Sequence, residues 1–251
     1  MAFDPVYYSF MEYFTLVLSI IFLFYTIIPL AKYIQRRKIM ALYFALSNLT
    51  YVITLAVTYV GIVTSLEMDD KSPSFMASMF VMNICMICGG FCLYLFCSKL
   101  ASINKKKVLT VGIIGLAFLV FSSLPINNWM DPTSKGFQIK YISFLLLTIY
   151  SIGVYSSIIR IFGKDLKNLT EMRGQYRSIV YGSISSMLFF VGMLVRSAAA
   201  INSILYNAII WCILVIGAGF YFFGFIQPSL KKKVKESKDA DLETKNIEIV
   251  N

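Results

Sequence analysis

Residues 13–38 read YFTLVLSIIFLFYTIIPLAKYIQRRK. Nineteen residues pass without a charge, and then Lys32, Arg36, Arg37 and Lys38 arrive together. At about 1.5 Å of rise per residue, a run of this length crosses a hydrocarbon core of roughly 30 Å as one helix. The basic cluster that follows is strongly disfavoured in lipid, so it marks an end at the membrane surface. An ordinary cleavable signal peptide is excluded, because Asp4 and Glu12, not basic residues, precede the run.

The same reading extends along the chain. Six further uncharged runs of at least 18 residues cover 39–66, 72–98, 108–130, 141–159, 178–195 and 197–230. Of the 251 residues, 58% belong to the apolar set and 14% are charged. Soluble domains carry about a quarter of their residues as charges. The sequence therefore predicts an all-α, polytopic membrane protein with seven transmembrane helices. These are drawn over 9–31, 40–64, 74–98, 108–126, 141–162, 178–199 and 204–227. Residues 1–227 form the transmembrane domain, and 228–251 form a short tail that begins basic, becomes mixed, and is predicted to be disordered.

Charge placement predicts the orientation. Nineteen of the 23 basic residues fall after the first, third, fifth and seventh runs; only Lys71, Lys135, Lys140 and Arg196 fall on the other side. Basic loops stay in the cytoplasm, so the N-terminus is expected outside and the C-terminus in the cytoplasm of a cell membrane. The net charge of +10 thus points to membrane lipid and not to nucleic acid. The sequence contains no histidine. That excludes imidazole metal sites and the Ser-His-Asp arrangement, and no catalytic residue, metal or cofactor is expected. Cys85, Cys88, Cys92, Cys97 and Cys212 all lie inside the expected helices, where they read as small packing residues. Asn48-Leu49-Thr50 and Asn168-Leu169-Thr170 match a glycosylation pattern, but one falls in the membrane and the other in the cytoplasm.

Polar residues inside lipid are the candidates for function. Ser47, Tyr51, Thr54 and Thr58 form one stripe on the second helix, with Asn48 beside it. The third helix offers Asn83, the fifth Thr148, Ser151 and Tyr155, and the sixth Ser178, Gly182 and Ser186. The seventh offers Asn207, Trp211, Gly217 and Gly224. Such stripes serve helix packing or line a cavity. Glu12 and Arg196 sit at the expected outer boundary, where Arg196 snorkels to headgroups or pairs with Glu12 or Asp131. The candidate ligand-binding set is Glu12, Tyr51, Thr54, Thr58, Asn83, Arg196, Asn207 and Trp211. No carboxylate lies at the midplane and no paired helix interruptions occur, so ion-coupled transport draws no support.

A retinal protein would need a lysine in the seventh helix, and residues 204–227 contain none. A rhodopsin-like receptor would carry an acidic–Arg–Tyr motif where this chain reads Phe96-Cys97-Ser98-Lys99. The helix order, the compact loops and the segment Arg36-Arg37-Lys38-Ile39-Met40-Ala41-Leu42-Tyr43-Phe44 instead resemble the seven-helix sensor region of archaeal and bacterial histidine kinases. The resemblance covers residues 9–227 and transfers no catalytic residue. Those proteins continue into a kinase or other output domain, whereas this sequence ends about 24 residues after the seventh helix. It therefore implies a stand-alone receptor- or sensor-like module that binds a small molecule and signals through a separate membrane or cytoplasmic partner. The residues leave two alternatives open: a transporter or channel for a small neutral solute, and a scaffold or assembly protein without a ligand.

Overall fold

The computed structural model describes residues 5–67, 73–123, 134–165, 173–198 and 205–226. Among them all the regular secondary structure is helical. The helices are α1 (Pro5–Arg36), α2 (Ile39–Glu67), α3 (Pro73–Leu100), α4 (Lys105–Ser123), α5 (Ser134–Asp165) and α6 (Arg173–Ala198), followed by α7 (Leu205–Ile226). A helix satisfies its own backbone groups, which is what a hydrocarbon surrounding demands. Six of the helices are long and apolar enough to cross a membrane, so the chain is a multi-pass integral membrane protein. The helix that falls short is α4. Lys105, Lys106 and Lys107 fill its first turn, and its described part stops at Ser123, before the uncharged run ends. The tail expected over 228–251 lies outside the described residues.

Several helices outrun their charge-free stretches. α1 continues to Arg36 although its uncharged run stops at residue 31, and α6 begins at Arg173, not at 178. Basic side chains extend helices past the lipid boundary because their heads reach water while their stems stay apolar. Two tight turns join neighbours. Arg37 takes a left-handed conformation (φ 53°), and its N–H donates to the Tyr33 carbonyl at 2.7 Å, closing α1. Ser102 takes the same conformation after α3 (φ 51°), and there the closing bond runs from the Ile103 N–H to the Ser98 carbonyl at 2.9 Å. Asn104 then caps α4, its Oδ1 accepting the Lys106 N–H at 2.9 Å.

Packing divides the bundle. α2 lies between α1 and α3 and packs on each over a long contact, and α5 lies closely against α6; α3 meets α5, and α4 meets both, over much smaller ones. α7 closes the arrangement from both sides. Toward α6 the approach is backbone to backbone: a Cβ at Gly182 would stand 2.9 Å from the Gly217 carbonyl oxygen, and one at Gly224 would stand 3.3 Å from that of Gln175. Small residues let membrane helices come this near. Toward the first half, α7 uses side chains. Phe222 packs on Tyr25 of α1 with ring centroids 5.0 Å apart. Phe225 stacks on Phe44 of α2 at 5.3 Å and meets Phe96 of α3 at 6.3 Å. These contacts bring the ends of α1, α3 and α7 and the start of α2 to one end of the bundle. Arg36, Arg37, Lys38, Lys99, Lys105, Lys106 and Lys107 are exposed there.

Candidate functional site

The polar stripe of α2 does not face lipid. Ser47 is buried and donates from Oγ to the Gly89 carbonyl of α3 at 2.9 Å. Asn48 Nδ2 donates to the Phe44 carbonyl at 2.8 Å on its own helix. Tyr51 crosses to the other half of the bundle, where its hydroxyl meets that of Tyr155 on α5 at 3.2 Å. The stripes of α2 and α5 therefore face each other and meet at this pair.

A second hydroxyl pair lies on α6 and α7. Ser183 Oγ and Tyr221 OH are 2.6 Å apart. Ser183 also donates to the Ile179 carbonyl at 2.9 Å, and a serine has only one proton, so Tyr221 is the donor between them.

A small cavity of about 10 Å³ lies among these groups. That is room for one water molecule. Its polar walls are Ser47, Asn48 and Tyr51 from α2, Tyr155 from α5, Ser186 from α6 and Tyr221 from α7. Phe44, Leu93, Leu214 and Ala218 complete the lining. From Ile39 to Tyr51 the helix rises about 18 Å, which places the cavity near the middle of a core of roughly 30 Å. Toward the basic end lies an aromatic floor. Phe44, which lines the cavity, packs on Phe96 at 5.1 Å and on Phe225 at 5.3 Å, and Lys32 Nζ stands 4.7 Å from the Phe225 ring centroid. The walls hold hydroxyls, one amide and aromatic rings, with no formal charge. They can hydrogen-bond an uncharged polar group and have nothing to balance an ion.

The residues singled out from the sequence are distributed along the bundle. Tyr51 lines the cavity. Thr54 is buried on the next turn of α2, its Oγ1 beside the Cys85 thiol and without a well-formed hydrogen bond. Thr58 is half-buried and donates back to the Thr54 carbonyl at 2.8 Å. Asn83 is buried on α3, and its Oδ1 has no hydrogen-bond partner among the described residues. Asn207 is buried near the start of α7. Trp211 is buried too, but it packs on Phe189 at 5.2 Å and is not part of the cavity lining. Glu12 accepts a long hydrogen bond from Tyr59 at 3.4 Å. Arg196 is half-buried in the last turn of α6, and Asp131 lies outside the described residues.

Tyr221 and Ser183 escaped the sequence reading. The signal was available in Gly182 and Gly217, because a side chain one residue from a close helix contact, or one turn beyond it, is carried inward. Among the described residues no three His, Cys, Asp or Glu side chains are placed to hold a metal ion. Comparison with known protein families, with characterised proteins and with solved structures finds nothing that matches this chain.

Proposed function

We propose that this chain is a seven-span membrane protein, N-terminus outside and C-terminus in the cytoplasm, acting as a receptor- or sensor-like module for a small uncharged polar molecule. The observation that carries the reading is the Tyr51–Tyr155 hydroxyl pair beside a cavity where polar groups from four helices converge. An uncharged ligand that inserts between the two tyrosines exchanges their mutual hydrogen bond for two of its own and separates the halves of the bundle. The basic end, reached through the aromatic floor, passes that change to a partner. The floor is also why a receptor is favoured over a channel, since three phenylalanine rings lie between the cavity and that end.

The seventh crossing is supplied by α4. It leaves the basic end at Lys105, runs beside α3 with Gly112 against Phe91, and passes α5 with Gly115 against Tyr150. Lys105 to Ser123 spans about 28 Å. The orientation rests on the exposed basic residues gathered at one end.

The test uses the protein in lipid nanodiscs and a panel of small polyols, amides and alcohols. A ligand of this site raises the Tm of the wild type and leaves the Tm of a Tyr51→Phe/Tyr155→Phe variant unchanged. A response that persists in full in the double variant overturns the site. Flux of the same solute through proteoliposomes replaces the receptor by a transporter.

A further inference from the structure

α4 is the least enclosed of the helices, and its outer surface has two parts that fit one molecule. Leu109, Ile113, Leu116 and Val120, spaced 4, 3 and 4 residues apart, form a single stripe, and each is more than half exposed. The stripe rises about 16 Å, close to the depth of one leaflet of a core of roughly 30 Å. At its lower end stand Lys105, Lys106 and Lys107, all exposed, with Lys99 across the turn. No acidic side chain is described at this end of α4. The lysines do nothing for the helix itself, because cations in an N-terminal turn oppose its dipole.

We infer that α4 holds an anionic phospholipid of the adjoining leaflet, headgroup phosphate on Lys105–Lys107 and one acyl chain along Leu109, Ile113, Leu116 and Val120. Charge complementarity selects the anionic headgroup, and the apolar stripe continuous with it selects a lipid over a free anion. The lipid also completes a helix that the protein covers on one side, where Val108, Val111, Phe118 and Leu119 pack against the core and Gly112 and Gly115 approach Phe91 and Tyr150. This site is independent of the central cavity. Each interfacial lysine favours an anionic over a zwitterionic headgroup by roughly fivefold, so three together are worth up to about a hundredfold before screening by salt.

The experiment extracts the full chain from membranes containing phosphatidylglycerol and phosphatidylcholine in known ratio and weighs the lipids it retains by native mass spectrometry. Wild type should retain phosphatidylglycerol at least about tenfold over the bulk ratio. A Lys105→Gln/Lys106→Gln/Lys107→Gln variant should fall to the bulk ratio, and the matching Lys→Arg variant should keep the enrichment, which separates charge from folding. Ile113→Ser/Leu116→Ser should lower retention with the lysines intact. Wild type at the bulk ratio, or undiminished enrichment in the Gln variant, overturns the proposal. So does competition by soluble glycerophosphate at equal concentration, which would mark a headgroup-only anion site. Protection of Lys106 from amine labelling by polyglutamate but not by phosphatidylglycerol would make this a protein-docking face instead.

Discussion

Replacing glycine by alanine should have opposite signs at two positions of this bundle. At Gly182 a Cβ would stand 2.8 Å from the Tyr221 ring and 2.9 Å from the Gly217 carbonyl oxygen. The ring can turn aside, but the carbonyl belongs to the α7 backbone. Carbon and carbonyl oxygen ordinarily sit about 3.3–3.6 Å apart, so α6 and α7 must separate by roughly half an ångström. Overpacking of this kind costs about 1–3 kcal/mol. For a chain of this size that lowers the Tm by about 2–12 °C. At Gly153 on α5 nothing lies within 4 Å of the added Cβ. There the substitution only removes the conformational freedom of a helical glycine, a gain of up to about 1 kcal/mol or roughly 2–4 °C. Thermal unfolding in nanodiscs, followed by helical circular dichroism, measures both. A Gly182→Ala variant as stable as Gly153→Ala would refute the backbone contact between α6 and α7, and with it the account of how these helices are held.

Ser183→Ala should destabilise more than Tyr221→Phe in the same assay. The first leaves a buried tyrosine hydroxyl without its acceptor, at about 1–3 kcal/mol, whereas the second leaves Ser183 still donating to Ile179. Tyr155→Phe should cost about 0.6–1.7 kcal/mol, the usual worth of one hydrogen bond between membrane helices, read from unfolding in mixed micelles. Phe44→Ala should be the most damaging, at about 3–5 kcal/mol, because it opens the floor beneath the cavity and removes the ring shared by Phe96 and Phe225. A single cysteine introduced as Lys106→Cys in a cysteine-free background should resist an impermeant maleimide in intact cells and react once they are permeabilised. Labelling in intact cells would reverse the proposed orientation.

The membrane class was legible because charge and lipid exclude each other, so a span such as 13–31 shows itself by what it lacks. Helix ends were less legible. Nothing in the uncharged run of α1 tells how far Lys32 and Arg36 carry the helix past the lipid boundary. Helical spacing identified the stripe Ser47, Tyr51, Thr54 and Thr58, and likewise Thr148, Ser151 and Tyr155. It could not say that the two meet, because Tyr51 and Tyr155 are 104 residues apart and a hydroxyl is equally content with its own helix carbonyl. Thr58 shows the second outcome from the same stripe. Trp211 read as a candidate ligand-binding residue because it follows Asn207 by one turn on the same helix. Its place against Phe189 follows from tertiary packing, which periodicity does not encode.

The two kinds of contact made by α7 differ in how they respond to force. Against α6 it is held by side-chain contacts such as Ser183–Tyr221 and also through backbone atoms at Gly182, Gly217 and Gly224, which cannot turn aside. Against α1, α2 and α3 it is held by the rings of Phe222 and Phe225, which can rotate about their side-chain bonds. On the proposed reading, a ligand wedged between Tyr51 and Tyr155 would move α6 and α7 together, and the change would be taken up at Phe225. That ring touches Phe44 and Phe96 and lies beneath Lys32. On that reading, strain from the middle of the bundle would reach the basic end along α7, with Phe225 as the point at which it would register. Phe225→Leu, which keeps apolar bulk but gives up ring stacking and the cation–π contact, should leave a ligand's effect on Tm intact while uncoupling it from any change in labelling at the basic end.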